Sequence, residues 1–228
     1  MNDTQSTDDR GDPIRILLVD DHPIVRQGVK MIITQEPDML VCCEAESPGQ
    51  AIELMIESEP DVAIVDLTLK EGSGLELIKE AKVRCPKVIL LVLSMRDEAF
   101  YAHRVMRAGA RGYITKEEGS EQIIEGVRAV VDGRVFLSEK LASKMIGTYV
   151  VGMPQAGAPP EHSLSDRELE VFELIGSGLT TRDIAERFHR SVKTIESHRE
   201  HIKAKLGLQN ANELLQRAVQ WVQSVSGE

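Results

Sequence analysis

Apolar residues along the 228-residue chain follow two different rhythms. In the first, short aliphatic runs recur from Ile14 to Val19 (IRILLV), Leu40 to Cys43 (LVCC), Val62 to Val65 (VAIV), Val88 to Leu93 (VILLVL) and Gly112 to Ile114 (GYI). Nearly continuous runs of this length belong to strands buried on both faces. Amphipathic stretches of helical length separate them, and Glu36-Pro37, Glu59-Pro60 and Cys85-Pro86 each stand just before a strand run. Proline bars the residue before it from helical geometry, so each pair marks a helix exit. Five β/α units over residues 14 to about 132 predict an α/β fold with a doubly wound, five-stranded parallel sheet.

The second rhythm begins after one further predicted helix, around Glu139 to Tyr149, and the segment GMPQAGAPPEH at 152–162. That segment is rich in Gly, Pro and Ala without apolar period, and reads as a linker. Strand signals then vanish, and four helical segments follow: Ser165 to Gly178, Thr181 to Phe188, Val192 to Leu206 and Asn210 to Val225. Ser165-x-x-Glu168 and Thr180-x-x-Asp183 are capping-box patterns, and Ser191 suits the N-cap of the third segment. The pattern divides the chain into an α/β domain over 13–133, a linker with one helix over 134–162, and a small all-α domain of four helices over 163–228.

Composition narrows the class. Hydrophobic residues make up 42% of the chain, yet no apolar run approaches the roughly 18 residues needed to cross a bilayer, so a soluble cytoplasmic protein without membrane contact is expected. The polar, acidic MNDTQSTDDRGDP start reads as a disordered lead-in, neither signal peptide nor anchor. Cys42, Cys43 and Cys85 lack metal-ligand spacing and read as reduced, buried structural thiols. A net charge of −10 argues against nucleic-acid binding until it is divided along the chain. From His162 onward 9 basic residues face 10 acidic ones, whereas residues 1–161 hold 18 against 27. Within 190–205, Arg190, Lys193, Arg199, Lys203 and Lys205 outnumber Glu196 and Glu200, a local +3 that can attract phosphate.

In an open α/β sheet, functional side chains gather beyond the C-terminal ends of the strands. Here the first run ends in Asp20-Asp21, the third in Asp66 and the fourth in Ser94, while Lys116 follows the fifth. Parallel strands would bring them together as three carboxylates facing one ammonium and one hydroxyl. Such carboxylates repel unless a cation neutralises them, and an all-oxygen set suits Mg²⁺. A carboxylate is also a nucleophile toward phosphorus, and Asp66, alone at the end of a central strand, is the best candidate. Singly, each Asp could be a helix cap and Lys116 a surface charge; four strand ends agreeing favour the site.

ILLVDDHPIVRQG, DVAIVDLTLKEGSGLELI, LLVLS and ARGYITKE resemble, in order and spacing, the receiver domain of response regulators. The resemblance implies that Asp66 accepts phosphoryl from a sensor histidine kinase. It further implies that Asp20, Asp21 and Asp66 hold Mg²⁺ with the backbone carbonyl of Thr68, and that Ser94 and Lys116 grip the phosphoryl oxygens. Ser94 and Tyr113 match the family's switch positions; a half-buried sheet-edge tyrosine is the alternative for Tyr113. Glu117 stands where many receivers have proline, which leaves the loop conformation open.

SLSDRELEVFELIGSGLTTRDIAERFHRSVKTIESHREHIKAKLGL resembles the LuxR-type helix-turn-helix of the NarL/FixJ regulators. Thr181 to Phe188 suits the supporting helix, and Ile195, Ile202 and Leu206 form the inward stripe of the reading helix. Lys193, Arg199, Lys203 and Lys205 are expected on phosphates, Thr194 and His198 close enough to add hydrogen bonds, and Ser197 toward base edges. Glu196 and Glu200 either tune base choice or pair along the helix with Lys203 or Arg199 and their neighbours. The last segment offers Leu214, Leu215, Ala218, Val219 and Val222, partly core and, by the resemblance, partly a homodimer contact.

The leading expectation is a two-component response regulator: a phosphoacceptor transcription factor rather than an enzyme, with a sensor kinase, double-stranded DNA and RNA polymerase as candidate partners. A Mg²⁺-dependent phosphatase is disfavoured because Thr68 stands where that chemistry has a second Asp. The other alternative is a phosphorylation-independent DNA-binding regulator that uses its receiver as a dimerisation module.

Overall fold

The computed structural model describes residues 12–142 and 159–226 apart from positions 97, 118 and 140. The acidic lead-in, most of the helix expected at Glu139 to Tyr149 and most of the linker lie outside the described residues.

Five parallel strands, β1 (Ile14–Val19), β2 (Met39–Ala45), β3 (Val62–Val65), β4 (Ile89–Ser94) and β5 (Gly112–Thr115), stand in the order β2-β1-β3-β4-β5. Helices α1 (Pro23–Thr34), α2 (Pro48–Ser58), α3 (Gly74–Arg84), α4 (Glu98–Ala108) and α5 (Ser120–Val131) alternate with them. Side chains of a strand alternate between faces, so the aliphatic runs supply two cores. Ile16, Leu18, Ile64, Leu91 and Ile114 pack under Val29 and Ile33 of α1 and Val127 of α5. Leu17, Val19, Ala63, Val65, Leu90 and Val92 pack under Ile52 of α2, Ile78 of α3 and Val105 of α4. The chain reverses its winding between β1 and β3, which opens a crevice beyond their C-terminal ends.

Gly74, the first residue of α3, lies against the end of β3. A Cβ there would stand 2.3 Å from the Asp66 carbonyl oxygen and 2.6 Å from the Leu67 Cα. Backbone cannot yield as a flexible side chain can, so Gly74→Ala is expected to cost about 1–3 kcal/mol by overpacking. It should also displace the Asp66 loop, and a lower midpoint of chemical denaturation checks the cost. A variant with wild-type stability would contradict the contact.

The C-terminal part contains α6 (Asp166–Gly176), α7 (Thr181–Arg187), α8 (Val192–Leu206) and α9 (Ala211–Ser226), preceded by a 3-10 turn over Pro160–Ser163. Both capping boxes form, Ser165 with Glu168 and Thr180 with Asp183, and Ser191 accepts from the Thr194 backbone N–H. α8 ends at Gly207, whose φ of 68° suits glycine. Glu161 of the 3-10 turn is buried and pairs with Arg217 at 2.7 Å, so residues 160–163, partly assigned to the linker from sequence, pack into this unit. Leu214, Ala218 and Trp221 of α9 are buried with Phe172 of α6, while Leu215 is exposed.

Candidate functional site

Strand register assembles the predicted pocket. Val19 is opposite Val65, so Asp20 and Asp66 leave neighbouring strands side by side; Ser94 is opposite Thr115, which sets Lys116 next to them. Asp20, Asp21 and Asp66 are all buried, and Ser94 is fully buried. The Lys116 ammonium bridges Asp20 Oδ2 at 2.6 Å and Asp66 Oδ2 at 2.7 Å. The Thr68 backbone N–H donates to Asp66 Oδ1 at 3.1 Å, and that of Lys70 to Asp21 Oδ2 at 3.1 Å. Arg26, which the sequence reading passed over, donates to the Asp20 carbonyl at 2.6 Å and so braces the β1 end. Its signal was only a basic residue on an otherwise inward helical position.

Burial pushes the Asp66 carboxyl pKa above the usual range, although Lys116 and the Thr68 N–H pull it down. Burial also works against the Lys116 ammonium, yet Asp66 and Asp20 outweigh it and raise that pKa. Both partners of one ion pair therefore shift upward. The asymmetry has a physical source: Lys116 is shared between two carboxylates, and Asp66 is the more deeply buried partner.

One ligand atom from each of Asp20, Asp21, His22 and Asp66 lies within 4.8 Å of the others. Asp21 Oδ1 is buried without a hydrogen-bond partner; His22 Nδ1 is 2.9 Å away but lacks hydrogen-bond geometry. An orphaned carboxylate oxygen among hard oxygen donors fits a small divalent cation such as Mg²⁺. His22, absent from the predicted donor set, is mostly exposed at the rim.

Tyr113 is buried rather than half-exposed, and its hydroxyl donates to the Arg96 carbonyl at 2.7 Å. The Ser94 hydroxyl accepts from the Arg96 backbone N–H at 3.3 Å. The described peptide bonds, including Lys116-Glu117, are all trans. Cys85 is buried, but Cys42 and Cys43 are only half-buried, because β2 is an edge strand and its pairing with β1 slips at this point. The expected fully buried thiols are thus corrected at those two positions.

The C-terminal unit docks beside the pocket through charge. Asp166 pairs with Lys79 of α3 and Arg104 of α4, each at 2.8 Å; Glu170 meets Ser73, and Glu173 meets Arg96. Arg187 donates to the Leu69 carbonyl at 2.8 Å. Phe100 of α4 meets His162 in a tilted contact at 4.7 Å and Trp221 edge-to-face at 5.3 Å between ring centroids. Sequence reasoning missed this face, because its partners stand 62 to 121 residues apart and each alone reads as a surface charge or core aromatic.

Docking leaves Lys193, Glu196, Ser197 and Glu200 of α8 exposed, with Thr194, His198 and Arg199 half-buried beside them. Two expected phosphate contacts are engaged within the chain: Lys203 pairs with Glu200 at 2.9 Å and Lys205 with Glu168 at 2.6 Å. Burial lowers the His198 pKa, which favours its neutral form.

Glu170 makes docking sensitive to pH. Burial pushes its carboxyl pKa up, against Ser73, Arg167 and Arg96, while Glu76 adds to the rise. A carboxyl with a higher pKa docked than free binds its proton more tightly when docked. Glu170's contribution to docking is then strongest below the ordinary carboxylate range, weakens as pH rises through it to the raised value, and is flat beyond. Asp166, whose pKa is held down against burial by Lys79 and Arg104, contributes in the opposite sense, its pairs weakening as pH falls. Emission of Trp221, the chain's one tryptophan, checks this, since it packs against Phe100 of the α/β domain. Glu170→Gln should remove the weakening as pH rises; an unchanged slope would assign it to another group.

Residues 16–128 match the response regulator receiver domain family, and 162–218 match the luxR family of bacterial regulatory proteins. The chain is 36% identical over 211 residues to the oxygen regulatory protein NreC of Staphylococcus aureus, covering 90% of this chain and 97% of that one. The RcsB response regulator of Salmonella typhimurium superposes with a TM-score of 0.72 at 26% identity, covering 92% of this chain and 98% of that one. RcsB from Salmonella enterica serovar Typhimurium, bound to promoter rprA with phosphomimetic BeF3-, gives 0.67 at 26% identity, covering 91% and 99%. With the acidic pocket at the sheet's switch point and the exposed reading helix in one chain, these likenesses agree: the chain belongs to the two-component response regulators of the NarL/FixJ type, which join a receiver to a LuxR-type DNA-binding domain.

Proposed function

We propose that Asp66 is the phosphoacceptor, that Asp20, Asp21, Asp66 and the Thr68 carbonyl hold Mg²⁺, and that a sensor histidine kinase supplies the phosphoryl group. The observation that carries this reading is the Lys116 ammonium bridging Asp66 and Asp20 beside the orphaned Asp21 oxygen. An Asp66 carboxylate oxygen attacks phosphorus, the phosphorus–nitrogen bond of the phosphohistidine breaks, and the imidazole leaves. Lys116 and the Ser94 hydroxyl meet the phosphoryl oxygens, and a cation held by Asp20, Asp21 and Asp66 would supply further charge neutralisation. The chain's own chemistry ends with transfer to Asp66 and later hydrolysis of that acyl phosphate.

Phosphorylation in this reading controls DNA binding by α8. The receiver spans 13–133, the linker runs to residue 159, and the DNA-binding domain begins with the 3-10 turn at Pro160 and runs to residue 228. Lys193 and Arg199 meet phosphates, Thr194 and His198 add hydrogen bonds, and Ser197 faces base edges. Lys203 and Lys205 add contacts only by leaving Glu200 and Glu168, so they contribute less than Lys193. Because the reading face is open while the domains are docked, gating acts on how two heads are placed rather than by covering α8. A homodimer through the exposed Leu215 edge of α9 would set them on half-sites about 34 Å apart, in the cytoplasm and within reach of RNA polymerase.

Selection of DNA sequences with and without acetyl phosphate tests the reading. The expected outcome is paired half-sites about 10 base pairs apart, enriched strongly only with the donor. Equal enrichment in both conditions would favour the phosphorylation-independent alternative.

A further inference from the structure

Arg96 occupies a place that the phosphoacceptor chemistry leaves unassigned. Its backbone N–H donates to the Ser94 hydroxyl at 3.3 Å, and its carbonyl accepts from the Tyr113 hydroxyl at 2.7 Å. Its guanidinium Nε donates to Thr68 Oγ1 at 3.1 Å, while Nη1 donates to the Tyr101 hydroxyl at 2.9 Å and pairs with Glu173 of α6. One residue therefore touches both switch positions, the rim of the Asp66 pocket and the DNA-binding domain. The guanidinium stands one residue from the acceptor carboxylate, since the Thr68 backbone N–H binds Asp66 Oδ1.

We propose that this guanidinium is a shared ligand: it pairs with Glu173 while the domains are docked, and transfers to the phosphoryl oxygens once Asp66 is phosphorylated. The inference rests on Asp66 being the phosphoacceptor. A phosphoryl group brings nearly twice the charge of a carboxylate, and three oxygens in a geometry that a planar guanidinium matches. As the Ser94 hydroxyl turns toward the new group, the Arg96 N–H loses its acceptor, and the loop that holds the guanidinium is released. Glu173 is left buried at 7% exposure without its cation, next to buried Glu170, an arrangement that strongly destabilises the docked face. Phosphorylation thus withdraws the cation on which docking depends. The covalent change is confined to Asp66, because Arg96 exchanges only hydrogen bonds and an ion pair.

Competition for one group is reciprocal. Whatever frees Arg96 from Glu173 must strengthen its hold on the phosphoryl group, where it also shields phosphorus from water. Full-length wild type, Arg96→Gln and Glu173→Gln are compared with acetyl phosphate and Mg²⁺. Trp221 emission reports docking, and phosphate-affinity electrophoresis reports the extent and lifetime of the acyl phosphate. Glu173→Gln is expected to weaken docking without donor and to lengthen the lifetime about fivefold, whereas Arg96→Gln shortens it by a similar factor. Movement in opposite directions is the signature of a shared ligand. A merely structural bridge would loosen docking in both variants and leave both lifetimes at the wild-type value, which overturns the proposal. Should Arg96→Gln fail to fold, Arg96→Lys must shorten the lifetime in the same direction, and no change there overturns it equally. Absence of label on wild-type Asp66 would instead overturn the phosphoacceptor reading.

Discussion

Asp66→Asn is expected to take no phosphoryl label from acetyl phosphate and Mg²⁺, to lose every donor-dependent change in DNA affinity, and still to fold at least as stably as wild type. The first two losses follow because the amide is not a nucleophile toward phosphorus and no second carboxylate takes its place: the Asp20 side chain is held by Lys116 and the His22 backbone N–H, and that of Asp21 by the Lys70 N–H. The stability claim needs a decision between two effects. Removing one partner of a buried ion pair usually destabilises by leaving the other charge unpaired. Here Lys116 keeps Asp20 at 2.6 Å, and the group removed is a carboxylate whose charge burial disfavours. Relief of that burial, together with less repulsion from Asp20, therefore outweighs the lost contact. A coupling of about 1–3 kcal/mol, or about 5- to 150-fold in affinity, is what the wild type should show and the variant lack. Chemical denaturation, labelling and DNA titration on the same preparations check all three; equal labelling of wild type and variant would sink the assignment.

Lys116→Met should have the opposite effect on stability. It leaves Asp20 and Asp66 buried side by side without the ammonium, whose side chain is only 11% exposed. Stripping the cation from a buried pair costs about 3–5 kcal/mol, and the double negative charge places this site toward the upper end. Two rescues should separate electrostatics from packing. Added Mg²⁺, if held by the folded pocket as proposed, should stabilise by about 2.7 kcal/mol at a hundredfold excess over Kd, and the gain should be larger in the variant. Mild acid should help as well, because the Asp66 pKa, already raised, climbs further without Lys116 and protonation removes the repulsion. Thermal unfolding across a Mg²⁺ series and a pH series reads both. A variant as stable as wild type in chelator, or one equally unstable with and without Mg²⁺, would contradict the picture of a charge-balanced pocket.

Particular residues show why some of this was legible in sequence. IRILLV followed by Asp20-Asp21, and VAIV followed by Asp66, specify buried strands with carboxylates at their ends. A parallel sheet then has few ways to arrange them, so the meeting of Asp20, Asp66 and Lys116 could be read from local pattern and one topological rule. Capping boxes at Ser165 and Thr180 are equally local, since each depends on residues three apart. Arg96, Glu170 and Glu173 carried no such signal. Charged residues are ordinarily solvated, and nothing near them in sequence reveals that another domain buries them.

What the sequence determined by itself was therefore the five strands, the helices that alternate with and follow them among the described residues, and the chemistry gathered at the strand ends. All of these follow from short-range periodicity, capping and the C-terminal edge of a parallel sheet. Tertiary structure alone decided that Lys116 is shared between two carboxylates, that Tyr113 is turned inward onto the Arg96 carbonyl, and that α6 docks on the receiver while α8 stays open. The physical reason is the same in each case. A pairing between charges or rings far apart in sequence is won by competition among many possible partners, and only the packed fold determines which of them are desolvated together.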